Sequence, residues 1–188
     1  MLTTSDKLST AGASSPDAVA TVRLWPYAPG VYGRDALYRV WKLMEDDGAT
    51  VQAFWDDQMA CDLASFIKTF DGAPNKVLLL IERTDTGHLC GCFWVTQITP
   101  GHQAFVGMWM HSEARGALSV EAAKKALAYT FDAGGFRQLW ALTPWHRAGA
   151  LCRRTGFRAV AQLPQFTNDR RDVTVYRLTK EAFHGHVW

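Results

Sequence analysis

The sequence predicts a mixed α/β protein, one sheet with helices on its faces. Three observations predict it. Apolar runs of strand length alternate with amphipathic runs of helix length. The 188 residues, 48% of them hydrophobic, suffice for one sizeable core but not for two full domains. Residues 104–157 read as a single unit, strand, turn, long helix, strand, short helix, in which the long helix begins directly after a strand.

Residues 1–18, rich in Ser, Thr, Ala and Asp, are expected to form a flexible arm, because small polar residues cannot offset the entropy of ordering. The folded domain is expected over residues 19–188. The arm lacks the apolar run of a secretory signal, and no later window is long and apolar enough to span a bilayer, so a cytoplasmic protein without membrane contact is expected. Four cysteines make no disulfide framework and are read as reduced thiols. A formal charge of +2 is too near balance for wholesale nucleic-acid binding and leaves an anionic small molecule compatible.

The first strand is expected at Val22, Leu24, Trp25 and Tyr27, ended by Pro26 and Pro29, with a loop through Gly30 and Gly33. Leu37, Val40, Trp41 and Met44 then recur at helical spacing over residues 34–45. A second helix is expected over 56–70, from Met59, Leu63, Phe66, Ile67 and Phe70, with Asp56 or Asp57 as its cap. Residues 77–81 and 89–98 are strands joined by the turn Asp85-Thr86-Gly87, hence an antiparallel hairpin.

Residues 104–110 supply the next strand, and Val120, Ala123, Leu127 and Phe131 line one side of the long helix that Gly134-Gly135 end. Residues 139–143 are a short buried strand. A brief helix after Pro144 turns Ala148, Leu151 and Cys152 inward and ends at Gly156, and 173–178 form a last strand.

Chemistry concentrates at the turn Arg115-Gly116-Ala117-Leu118-Ser119. A helix that starts straight after a strand leaves unpaired N–H groups at its first turn, and these donors with the helix dipole suit phosphate. The alternative is an ordinary helix that Ser119 caps and Gly116 admits. Glu121, in the first helical turn, favours the dipole but would repel a phosphate bound there.

His88, Cys90 and Cys92 are spaced two apart, so on a strand all three would face one side, but only the distant His102 offers a fourth ligand and packing is favoured over a metal. Arg153, Arg154, Arg158, Arg170 and Arg171 with Trp145 and Phe166 raise nucleic-acid binding, against which a solvated cationic rim is preferred. Of the eight tryptophans, Trp41, Trp55, Trp109 and Trp140 are expected to fill core, while Trp25, Trp145 and Trp188 would suit a homodimer interface.

The element order, the Arg115-Gly116 opening of the turn, and the spacing from Ala148 to Gly156-Phe157 together resemble the GNAT-type acyl-CoA-dependent N-acyltransferases. The resemblance covers residues 19–180 in element order and 104–160 in motif. It implies a mixed, mostly antiparallel central sheet flanked by helices. It implies acetyl-CoA as co-substrate, with Arg115, Gly116, Ala117, Leu118 and Ser119 at the pyrophosphate and the Met110–His111 backbone along the pantetheine. Leu118 and Val120 stand where the family has glycine or alanine.

The implied reaction is transfer of an acetyl group to a primary amine, of a small molecule or a protein, by direct attack in a ternary complex. The amine must be neutral to attack, so His111 or His102 is the candidate base, with Glu113 third. Cys152 falls where the family has a tyrosine acid, and Trp145 where it has an asparagine. These replacements keep open a catalytically inactive GNAT-like module that binds or assembles.

Overall fold

The computed structural model describes residues 21–55, 62–72 and 75–186. The expected arm at 1–18, the caps Asp56 and Asp57, and Trp188 lie outside them. Seven strands form one sheet in the order β1-β2-β3-β4-β5-β7-β6. They are β1 Val22–Pro26, β2 Val77–Arg83, β3 Leu89–Thr99, β4 Gln103–Met110, β5 Gln138–Thr143, β6 Arg158–Leu163 and β7 Val173–Thr179. Every neighbouring pair is antiparallel except β4 and β5. Pro26, which cannot donate to a ladder, sits on the edge strand β1.

The helices are α1 Pro29–Asp46, α2 Thr50–Ala53, α3 Leu63–Phe70, α4 Ala117–Gly134, α5 His146–Arg154 and α6 Lys180–His184. Gly33, at φ 63° and ψ 172°, interrupts α1, so the continuous helix begins where the apolar spacing does, and a helical turn replaces the expected loop before it. The expected 56–70 helix is shorter: α3 starts at Leu63, and its cap is Asp62, whose carboxylate accepts the Ser65 N–H at 2.8 Å.

Each face of the sheet is buried separately. On one, α4 and α6 cover Leu79, Phe93, Val95, Leu139 and Leu178, with Leu127 and Phe131 fully inside. On the other, α1 and α3 cover Leu78, Leu80, Cys92, Trp94 and Trp109, around the aromatic group Trp41, Phe54 and Phe66. Trp41 and Trp109 are buried as expected, whereas Trp55 and Trp140 are only half-buried.

Strand parity fails on β3 beside the thiols. Ile81 pairs with Gly91 but Glu82 with Leu89, so Cys90 is the extra residue of a bulge. Cys90 therefore faces the α4 side and Cys92 the α1 side, which separates the two thiols that the spacing alone aligns. Burial pushes the Cys90 thiol up to about 11 and raises that of Cys92 further.

Candidate active site

The parallel pair at the centre of the sheet is short. Gln103, Ala104 and Phe105 pair with Gln138, Leu139 and Trp140, and there the ladder stops although both strands continue. The His111 N–H is donated to the Cys90 carbonyl at 2.8 Å. Alternation along β4 then aims the Val106 carbonyl and both main-chain groups of Met108 away from β3, into the gap that β5 has left. Between the diverging strands lies a cleft of about 700 Å³ that reaches both faces of the sheet. Ala123, Leu127, Cys152 and Phe157 line it on the α4–α5 side, and Phe54, Trp94, Thr96 and Trp145 on the other.

Beside this opening, α4 begins at an exposed turn. Its N-cap is Gly116, at φ 96° and ψ −126°, a conformation that needs glycine, and no side chain caps the helix. Ser119 is not a cap: it lies inside the first turn, buried, and its hydroxyl is donated to the Ala114 carbonyl. The first intrahelical bond from this turn runs from the Val120 N–H to the Gly116 carbonyl. The N–H groups of Ala117, Leu118 and Ser119 precede it and belong to the helix's orphan donors.

The residues that threatened this turn point elsewhere. Leu118 packs against the core on the α4 side. Glu121 reaches back to β1, where its carboxylate accepts the Val22 N–H and pairs with Lys125 at 2.7 Å. Lys125 also donates to the Val22 carbonyl, so both charges are spent tying α4 to the sheet edge.

The Arg115 guanidinium is engaged by the protein on two sides. Its Nη2 pairs with Asp47 at 2.5 Å and its Nε is donated to the Met110 carbonyl at 3.1 Å. Asp47 caps the end of α1, its side chain is 5% exposed, and its carboxylate also accepts from the Ser112 N–H and the Trp109 indole. Burial pushes that carboxyl upward, but the Ser112 hydrogen bonds, the Arg115 guanidinium and the Trp109 indole outweigh it and hold the carboxyl below its usual range. Arg115 is thus a positioning residue that fixes the connection between β4 and α4.

This bonding occupies one main-chain group of each residue expected along the pantetheine, Met110 and His111. The Met110 carbonyl is taken by Arg115 and the His111 N–H by Cys90. Further back along the strand, the same alternation turns main-chain groups of Val106 and Met108 into the gap.

Neither candidate base is in the cleft. His111 caps a 3-10 turn, its Nδ1 accepting the Glu113 N–H at 3.4 Å, and its ring stands edge-on to Trp109. Glu113 is exposed on that turn. His102 sits in the β3–β4 turn at the closed end of the parallel pair, where its carbonyl accepts from Arg137 and Gln138. The eight residues of β4 separate the two histidines by about 30 Å of extended chain, so they cannot serve one site.

Cys152 does line the cleft, but burial pushes its thiol up to about 12. A donor that weak is poorly matched to a departing thiolate of ordinary pKa, about 8.5. Trp145, at the start of α5, is fixed by its own N–H to the Thr143 hydroxyl and by its indole N–H to the Gln52 carbonyl, at 3.0 and 3.1 Å.

No family model matches the chain, and no curated protein matches it in sequence. Solved structures do match. Spermidine N-acetyltransferase from Vibrio cholerae, in complex with CoA and spermine, is 17% identical with a TM-score of 0.70, over 87% of this chain and 98% of that one. RimJ of Mycobacterium smegmatis, in complex with CoA-disulfide, is 20% identical with a TM-score of 0.65, over 87% and 86%. The Salmonella typhimurium acetyltransferase that modifies the N-terminal serine of ribosomal protein L7/L12 is 17% identical with a TM-score of 0.68, over 85% and 95%. The chain has the GNAT acetyltransferase fold, a mixed and mostly antiparallel sheet flanked by helices.

Proposed function

We propose that the protein is an acetyl-CoA-dependent N-acetyltransferase that acts on a primary amine by direct attack in a ternary complex. The observation that carries this reading is the opened β4–β5 seam beside the uncapped start of α4. The seam offers unpaired strand groups to an amide-bearing arm, and the helix start offers amides and a positive dipole end to a diphosphate. Neighbours of the same fold are known in complexes with CoA, which supports the same donor here.

In this reading the main-chain N–H groups of Gly116, Ala117, Leu118 and Ser119 hold the pyrophosphate. Val106 and Met108 hold the pantetheine in place of Met110 and His111. Acetyl-CoA supplies an activated thioester carbonyl within the seam. Ala123 and Leu127 exclude water from it on the α4 side.

Among the described residues, the cleft lining contains no histidine or carboxylate to act as base. Its apolar walls supply another route. Removing an ammonium from water disfavours its charged form, so the neutral, attacking form of the amine gains population as it enters. The amine nitrogen bonds to the carbonyl carbon, the C–S bond breaks, and the proton that the nitrogen sheds on becoming an amide passes through solvent to the departing sulfur, so that no proton is needed from Cys152. Catalysis then rests on alignment of the two reactants.

Acetyl-CoA should raise the melting temperature of the purified protein, and CoA release should depend on added amine. Stabilisation without release with any amine would favour the non-catalytic module, and no stabilisation would dismiss both ligand and reaction.

A further inference from the structure

We propose that the acceptor side of the cleft takes an amine on an aromatic body that also carries a carboxylate, of the aromatic amino acid class, rather than a polycationic amine. This rests on the reading of the cleft as an acetyl-transfer site and departs from the spermidine named for one neighbour.

The wall opposite α4 is aromatic and held in place. Phe54 packs on Trp94 with ring centres 5.5 Å apart, and Trp55 meets Phe166 edge to face at 6.4 Å. The Trp145 indole is pinned on two sides, by the Gln52 carbonyl and by the Arg171 guanidinium 4.3 Å above its ring. Phe166 stands at the mouth, 56% exposed, on a connection locked by hydrogen bonds from the Arg171 N–H to Thr167 and from the Gln165 N–H to Asp172. Such rigid rings offer a flat apolar body large contact area at little entropic cost.

The charge at this wall has one sign. Among the described lining residues Lys76 alone is charged, and it has no ion-pair partner among the described residues. Lys76 is partly exposed on this lining, and its ammonium can donate charge-assisted hydrogen bonds to an incoming carboxylate. A polyamine would bring several like charges to it, which opposes binding. The amine of the acceptor then lies toward the seam, its ring among Trp55, Trp145 and Phe166, and its carboxylate toward Lys76.

Calorimetry on the full chain, with and without acetyl-CoA, tests this using tryptophan, tryptamine and spermidine. Tryptophan should bind about tenfold more tightly than tryptamine, the difference one charged hydrogen bond makes, and spermidine more weakly than both. Lys76→Met should weaken tryptophan about tenfold more than it weakens tryptamine. Phe166→Ala should weaken both to a similar degree. Spermidine binding as tightly as tryptophan, or Lys76→Met acting equally on tryptophan and tryptamine, would overturn the proposal. Absence of acetyl-CoA binding would instead overturn the acetyl-transfer reading, while the acceptor titrations still decide the wall's preference.

Discussion

Arg115 and Asp47, 68 residues apart in the chain, form an ion pair at 2.5 Å that ties the turn before α4 to the end of α1. The carboxylate is almost fully buried and the guanidinium half-exposed, so removing the arginine strands a buried charge. Arg115→Ala and Asp47→Ala should each lower stability by about 2–3 kcal/mol, and the double variant by less than the sum. Denaturant unfolding checks this. With Arg115 acting only through its pair with Asp47, both single variants should change acetyl-CoA affinity by the same small factor; a loss confined to Arg115→Ala would return that side chain to the phosphate.

The same pair sets a pH dependence. The Asp47 carboxyl titrates lower in the folded protein than in the unfolded chain, so its contribution is complete above the ordinary aspartate pKa, about 3.9, and is lost as pH falls through the lower folded value. The stability difference between the wild type and Asp47→Asn should shrink on acidification below about pH 4. A difference that stays constant down to pH 2 would contradict the pairing.

Trp94 lies flat on Gly107. A Cβ at position 107 would come within 2.2 to 2.3 Å of the indole ring, so only glycine lets β4 pass beneath it. Gly107→Ala should cost about 1–3 kcal/mol by forcing the ring aside, and should raise KM for the amine more than for acetyl-CoA, because Trp94 faces the acceptor side. Thermal melts and steady-state kinetics measure the two effects.

At Gly116 the demand is conformational. Open space surrounds the position a Cβ would take, yet φ is 96°. Gly116→Ala should cost about 1–3 kcal/mol through backbone strain and weaken CoA binding, with no steric clash to relieve. Stability and affinity that both match the wild type would show that the turn is not constrained.

Cys152 should be inert. With its thiol pushed up to about 12, the thiolate is scarce at pH 8, so iodoacetamide should leave this residue unmodified in the folded protein by peptide mass mapping. Cys152→Ala should keep acetyl transfer within a few-fold. A loss of several hundredfold would restore it as the acid.

Local patterns in the sequence locate the strands of the hairpin, the long helix and its glycine stop, because each has one buried face and a strict period. β6 escapes such reading: five of its six residues are exposed, so no alternation marks it. α6 is too short for a period, and its signal is the cap that Thr179 makes with the Ala182 N–H. The turn proposed to hold phosphate is legible in the order of elements. Its true occupants are not, since Arg115 is claimed by a distant aspartate and Glu121 by a distant strand. His102 shows a related limit: proximity to β4 in sequence does not say which end of the strand opens, and this residue lies at the closed end of the parallel pair.

The central claim, that the amides opening α4 bind a diphosphate, has a test that separates binding from folding. Ala117 is exposed in the first turn of that helix. Replacing it by aspartate adds a carboxylate that the helix dipole favours by about 0.3–1 kcal/mol but that repels phosphate at the same place. Titration calorimetry should show acetyl-CoA bound by the wild type and bound at least about tenfold more weakly by an equally stable Ala117→Asp variant. Equal affinity in the two proteins, or no binding by the wild type, would contradict the assignment.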